Sequence, residues 1–443
     1  MQSKKPYSSA KAIFGIFITL LLASIVVPTE IQAQTFKVLH TFKGDDGAGP
    51  VGQLLKDPAG NIYGTTSSGG NGRGACSNYG GCGTAFKLDQ TGRAVWVHSF
   101  KSPKGWEPLA GLLRDKAGNL YGTAGLGGNT ACLDGCGIVF KLNKTGGETV
   151  LYKFTGEPDG YYPEALLVED AAGNLYGTTY IGGSNNAGSV FKIDTSGKGS
   201  VLYNFTGGSD GCFPYPGVIL DSVGNLYGVT LMGGAGFCNS GYGVVFKLDT
   251  SGNETVLHSF AGYPSDGANP DSVLLFDSQG NLYGTTDNGG GSEACDGGCG
   301  TVFELSSQNG DWSETVLYNF CSLENCTDGE SPLRGPLVRD SAGNIYGTTY
   351  LGGAYDNGAI FKLDKAGKET ILHSFAGAAD GANPWGGLAI DAKGNLYGAA
   401  TFGGSGKCKG GCGTVFRSRR SVNARNVFHF FAVLFPFHES SRP

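Results

Sequence analysis

What this sequence lacks first is a helical hydrophobic period. Between residues 34 and 416 no stretch returns its apolar residues to one helix face, which excludes bundles and α/β layers. Long apolar runs are equally scarce. Residues 12–27 form the one run near the start, charge-free, behind Lys4, Lys5 and Lys11 and ahead of the small residue Ala33. Residues 1–33 are therefore expected to be a cleaved export signal, leaving a mature chain without a transmembrane span. Basic charge is thin: 32 Lys and Arg stand against 38 Asp and Glu, and five of the arginines lie in the last 27 residues. An acidic body offers nothing to attract a nucleic acid or an anionic membrane surface.

Histidine is scarce as well. Of six, His40, His98, His258 and His373 share one recurring position where sister segments carry Tyr152, Tyr203 or Tyr318, and His429 and His438 lie near the C-terminus. Interchange of His with Tyr reads as packing, which leaves no histidine for a nucleophile triad or a metal cluster. No catalytic residue, metal ligand or cofactor is expected. An Asp-Gly step recurs at Asp46, Asp159, Asp210, Asp266, Asp328 and Asp380, with Lys104 in the remaining copy. The alternating carboxylates of a calcium loop are missing, so these read as turns whose Asp binds nearby N–H groups.

Glycine, in contrast, is abundant, with 78 residues, and it is ordered in a pattern. Gly-Asn-Leu/Ile-Tyr-Gly begins at Gly60, Gly118, Gly173, Gly224, Gly280, Gly343 and Gly394. Each copy heads a unit of four strand-like pieces. Around Gly173 these are residues 165–169, a turn at 170–174, residues 175–180, a Gly-Gly loop, residues 188–193, a turn at 194–197 and residues 200–205. Two hairpins of β-branched and aromatic residues between Gly, Asn and Asp turns make a four-stranded antiparallel module. Such modules must bury their faces on one another, as a ring of blades or a linear solenoid. The ends favour the ring. Residues 36–42 match a fourth strand, whereas the final unit stops at a third, residues 413–416. The expectation is an all-β, seven-bladed β-propeller over residues 34–416, closed by its N-terminal strand, with an irregular basic and apolar tail at 417–443.

The first turn keeps its length in every unit, as does the third except for a three-residue expansion around Asn309 to Trp312, while the second and fourth connections vary, and both variable sets fall on one face of the disc. All 12 cysteines lie in these connections. Cys76/Cys82, Cys132/Cys136, Cys295/Cys299, Cys321/Cys326 and Cys408/Cys412 are local pairs, and Cys212 with Cys238 follows by elimination. An even count in an exported chain implies disulfides, whose expected work is to stiffen loop tips. Zinc, the alternative, would need two distant pairs to meet.

A proline precedes each unit's first strand, and the next residue differs almost every time: Val51, Leu109, Glu164, Tyr215, Asp271, Leu333 and Trp385. Trp106, Tyr161, Tyr162 and Phe213 stand just before these prolines. Aromatics beside carboxylates at a channel mouth suit stacking on sugar rings, with Glu164 or Asp271 bonding hydroxyls. The candidate ligand-binding set is thus Trp106, Tyr161, Tyr162, Glu164, Phe213, Tyr215, Asp271 and Trp385. Plugging of the channel by the same aromatics is the alternative.

The succession GNLYGTT, GTVFKLD, ETVLHSF and DGxxP, present in all seven copies over residues 36–416, resembles the GloVer-type tandem repeat of secreted bacterial proteins. The resemblance implies an exported, surface-associated protein of unestablished activity. The Gly-Gly after the second strand is similar to kelch units, but the Tyr and Trp that should follow are missing. Family members often end in an anchoring segment. Here residues 427–437 (VFHFFAVLFPF) are too short to span a bilayer. The expected role is a monomeric binding or scaffold module for a glycan or protein; the alternatives are a carbohydrate-active hydrolase or lyase, and a structural envelope protein.

Overall fold

The computed structural model describes residues 35–72 and 74–419. The expected signal segment and nearly all of the expected tail lie outside the described residues. Strands alternate with glycine-rich turns throughout, and the described helical turns are two short 3-10 segments, Ala75–Tyr79 and Glu324–Cys326. No described helix is long and apolar enough to cross a membrane.

The strands form seven antiparallel sheets, each a blade of a β-propeller. Blade 3 is typical: Val168–Glu169, Leu175–Thr179, Ser189–Ile193 and Gly199–Asn204 run outward from the axis in chain order. In two blades the innermost strand is split, so those sheets count five strands. The last blade takes three strands from the C-terminal end and its outer strand, Thr35–Thr41, from the start of the chain. Its third strand runs Thr414–Arg419, beyond the boundary expected at 416, because Phe36 and Lys37 pair with Ser418 and Arg417.

Between blades, phenylalanines set the contact. The Phe that ends each outer strand meets the third-strand Phe of the next blade, edge to face in six of the seven contacts. Phe42 packs so on Phe86 and Phe205 on Phe246, Phe375 meets Phe416 at a tilt of 59°, and the seven contacts have centroids 4.9–5.2 Å apart. The third-strand ring lies over the second-strand glycine of Tyr-Gly-Thr. A Cβ there would sit 2.5–2.8 Å from the Phe Cζ, so the repeat admits only glycine. The glycine that opens the third strand, such as Gly188, is likewise pressed against the next blade's proline, here Pro214.

The residue before each proline adopts a left-handed conformation in all seven blades: Gly49, Glu107, Tyr162, Phe213, Asn269, Ser331 and Asn383, with φ from 50° to 63°. Its backbone joins neighbours. The N–H of Phe213 donates to Ala187 O of the preceding blade at 2.9 Å, and its carbonyl accepts from Leu231 of its own blade at 3.0 Å. Recurrence around the ring makes this strain part of the joint rather than the mark of one site.

The short turns are closed by side chains. Asp170 accepts from the backbone and side-chain nitrogens of Asn174 and from the Tyr176 hydroxyl, at 2.7–2.9 Å. The same triad recurs in the other six blades, Asp57, Asn61 and Tyr63 being the first. Burial works to raise these carboxyls, but the hydrogen bonds outweigh it and hold them below the ordinary range. The histidines and tyrosines of the outer strand do more than pack. His40 Nε2 contacts Asp46 at 3.0 Å, Tyr152 donates to Asp159 at 2.6 Å, and His373 contacts Asp380 at 3.1 Å. Each fixes the Asp of an Asp-Gly turn, which also accepts a backbone N–H, for example from Thr155. Where Lys104 replaces that Asp, His98 faces Glu148 of the next blade at 3.3 Å.

Six disulfides join the pairs read from the sequence: Cys76–Cys82, Cys132–Cys136, Cys212–Cys238, Cys295–Cys299, Cys321–Cys326 and Cys408–Cys412. Their placement corrects the expectation that they serve loop tips alone. Cys412 is fully buried and packs in the core with Phe42, Ala48 and Val415. The cause is its position, directly before the glycine that opens the third strand. There its carbonyl accepts the Gly49 N–H of the next blade at 3.0 Å, and its Sγ accepts the Cys408 N–H at 3.2 Å. Cys82 and Cys299 hold the equivalent place, are buried too, and accept from Glu107 and Ser331. Cys76, Cys136 and Cys212 are buried as well. These cystines therefore pin variable loops onto the interblade joint. The argument that zinc would need distant pairs does not hold everywhere either. The sulfurs of Cys295, Cys299, Cys321 and Cys326 lie within 4.8 Å of one another, already committed to two disulfides.

Three consequences can be measured. Phe246→Ala removes one ring from the interblade stack and should lower the unfolding free energy by about 3–5 kcal/mol in a denaturant titration. Serine at both Cys132 and Cys136 should leave the circular dichroism spectrum unchanged and cost about 2 kcal/mol, because the closed loop is so short. Stability should also depend on pH. Burial, helped by Asp210, Asp266 and Asp328 respectively, pushes Glu254, Glu314 and Glu369 up to about 7. Groups raised on folding stabilise fully below their unfolded value and lose that contribution as pH rises through the folded one. The turn aspartates act oppositely, and their contribution is lost at low pH. The thermal midpoint should therefore peak near pH ~5 and fall toward pH ~8; changing the three glutamates to glutamine should flatten the alkaline side.

Candidate functional site

Constant turns occupy one face of the disc, and the variable connections occupy the other. The disulfide loops, anchored at their buried cysteines, present apolar tips from this second face: Tyr79, Leu133, Phe237 and Leu323 are 55–89% exposed, each within or beside a cystine loop. Inside this crown lies a cavity of about 240 Å³ lined by Tyr162, Glu164, Tyr180, Ile181, Tyr215, Leu231, Asp271 and Arg334. It draws on blades 3 to 6 and so sits off the axis. Neither Cys412 nor any other cysteine lines it.

The axis itself is nearly closed. The innermost segments touch backbone to backbone: Leu166 N–H donates to Pro216 O at 3.2 Å, and a Cβ on Gly52 would strike the Ala110 backbone. The space continuing inward past Glu164, Tyr215, Asp271 and Arg334 is about 30 Å³, room for little more than water. The feature expected as a channel mouth is therefore a pocket with a floor.

Arg334 organises it. Its guanidinium lies 3.6 Å from the Tyr215 ring centroid and 4.6 Å from that of Trp385, so aromatic faces meet the cation. Glu164 Oε2 stands 4.0 Å from its Nη1, an ion pair too long for a direct hydrogen bond. Asp271 does not hold the guanidinium; it accepts the Arg334 backbone N–H at 3.1 Å. Tyr180 packs at a tilt on Phe213 at 5.0 Å and meets Tyr215 edge to face at 5.4 Å, forming the aromatic wall. The Tyr215 hydroxyl and the Trp385 indole N–H are buried without a hydrogen-bond partner among the described residues.

Burial dominates the electrostatics. It pushes Glu164 up to about 7 against the pull of Arg334, with Glu107 adding to the rise. Asp271 is held well above the carboxylate range by burial and then by Asp287. Burial also lowers Arg334, to about 10, although Glu164 favours its charge. The pocket thus holds one cation, a Glu164 carboxyl poised near neutral pH and an Asp271 carboxyl whose ionisation burial opposes.

Of the candidate residues, the cavity brings together Tyr162, Glu164, Tyr215 and Asp271, with Trp385 behind Arg334 and Phe213 behind Tyr180. Tyr161 turns away toward the Cys132 and Cys136 loop. Trp106 departs from the expectation: it is 3% exposed, stacked under Tyr79, and belongs to the core around Cys76 and Cys82. Arg334 and Tyr180 were missed. In this unit Pro332 stands one residue early, so counting from the proline selects Leu333. Counting six residues back from the turn Asp gives Glu164 from Asp170, Asp271 from Asp277 and Arg334 from Asp340.

Two solved structures share the architecture over most of this chain. Virginiamycin B lyase from Staphylococcus aureus is 12% identical with a TM-score of 0.55, covering 87% of this chain and 99% of that one. The extracellular domain of a hybrid two component system from B. thetaiotaomicron is 14% identical with a TM-score of 0.52, covering 88% of this chain and 43% of that one. At such identities the likeness is one of fold. No curated protein sequence matches this one. The Gloeobacter/Verrucomicrobia repeat model matches residues 74–297 and 292–435, so the repeat that builds the blades is that family's and the chain belongs to it.

Proposed function

We propose that this protein is an exported binding propeller that takes a glycan in the pocket on its elaborated face. The observation that carries the reading is the lining itself. Tyr162 and Tyr180 supply flat apolar surface, Tyr215 backs the guanidinium, and Glu164, Asp271 and Arg334 supply polar groups at one concave site. Sugars present apolar ring faces bordered by hydroxyls, and this mixture suits them. Six disulfides support export, as does an extracellular domain among the similar structures.

A second reading rests on one observation. Glu164 and Asp271, two blades apart in sequence, line the same cavity, and burial raises both. A protonated carboxyl facing a sugar is the general acid that a hydrolase or lyase requires.

A glycan array probed with the oxidised protein, with Tyr180→Ala alongside, decides between these. A hit lost in Tyr180→Ala is the expected result. Turnover of that sugar, abolished by Glu164→Gln, would move the assignment to the enzyme. A blank array from a folded ring would overturn the glycan reading and leave a protein ligand or a scaffold role.

A further inference from the structure

We propose that the sugar bound in this pocket carries a carboxylate, as a uronic acid does, and that the Arg334 guanidinium receives it; this rests on the glycan reading above. Arg334 lacks a close polar partner for its guanidinium. Tyr215 and Trp385 meet its guanidinium as cation–π partners, which fixes the plane of the group. Its N–H groups make no direct hydrogen bond among the described residues, and the nearest carboxylate, Glu164, stands off at 4.0 Å. Those nitrogens are not sealed from solvent, since the side chain keeps 27% of its surface and lines the cavity. A planar cation stacked on rings, with its donor edge open to a pocket, has the geometry for a forked bond to a carboxylate. A structural arginine would instead spend its donors on carbonyls or on a close carboxylate.

The surroundings fit a single anionic group. Arg334 is the one cation among the residues that line the pocket. The other groups bearing on its charge are Glu164, Glu107 and Tyr180, with Tyr162 beside the two glutamates; Asp271, with Asp287 near it, holds the Arg334 backbone. Burial raises the pKa of every carboxyl in this set, which weakens each as a competitor for the guanidinium, and Glu164, the nearest, is pushed up to about 7. The net charge of −6 does not forbid an anionic ligand. Its field is screened beyond about 8 Å at physiological salt, and the carboxylate would meet Arg334 at contact. A long polyanion would feel the acidic surface more, so a short or terminal acidic sugar fits best.

The test uses the full oxidised protein, titrated calorimetrically with galacturonic acid oligosaccharides and with their neutral galactose counterparts. The acidic series should bind about ten-fold or more tighter, the worth of one charge-assisted pair. Arg334→Met, which keeps an apolar stem between the rings, should remove that preference, and Arg334→Lys should not restore it. Glu164→Gln should strengthen acidic-sugar binding at pH ~8 and flatten its rise as pH falls toward about 6. Circular dichroism confirms that each variant folds. Equal binding of both series, or a preference that survives Arg334→Met, would overturn the inference. If neutral sugars bind and Tyr180→Ala abolishes them, the glycan reading stands and the acidic inference alone falls. If neither series binds, the acidic inference falls, and the array above decides the glycan reading.

Discussion

Seven phenylalanine contacts, six edge to face and one tilted, repeated at almost constant spacing, are what the rest of this molecule hangs on. Each couples an outer strand to the next blade's third strand, and each third-strand ring also demands a glycine beside it in the second strand. The contact is apolar, buried and closely similar around the ring, so blades of unequal loop length can still stack at nearly one angle. Aromatic pairs of this geometry contribute about 0.5–1.5 kcal/mol beyond the area they bury. That regularity leaves most of the variable face free to differ from blade to blade.

Regularity also explains what could be read without coordinates. Four strands per unit, seven units, the shared last blade and the cystine pairs follow from spacing, because repetition averages away the ambiguity of any one segment. The depth of the cystines does not follow from spacing: Cys412 sits in a variable loop by sequence and in the core by contact. The Asp-x-x-Gly-Asn turn is legible because it recurs. Its full content, a carboxylate gripping Asn and Tyr at once, is not, since Tyr176 reads as an ordinary strand residue. The His and Tyr of the outer strand read as packing groups in sequence, whereas both reach an Asp six or more residues on.

The site is harder because it consists of departures from the repeat. Glu164, Tyr215 and Asp271 declare themselves by differing from their counterparts. Arg334 hides behind a one-residue shift of Pro332, and the turn Asp is the better ruler because its backbone is hydrogen-bonded in every blade. Trp106 misleads for the opposite reason: a large aromatic in a variable loop has two apolar neighbourhoods available, and the cystine beneath Tyr79 is the one it fills. Loop packing of this kind depends on tertiary contacts that carry no period.

The blade completed by both ends of the chain has a bearing on how such proteins change size. A genetic repeat and a structural blade are out of phase by one strand, so a unit excised or duplicated by recombination always removes or adds whole hairpins from the interior. The clasp strands Thr35–Thr41 and Thr414–Arg419 pair with each other and with no interior unit's outer strand, so a whole unit added or lost in the interior would leave their register untouched. A change of copy number would then call for a new interblade angle at the phenylalanine contacts, while the clasp itself could stay as it is.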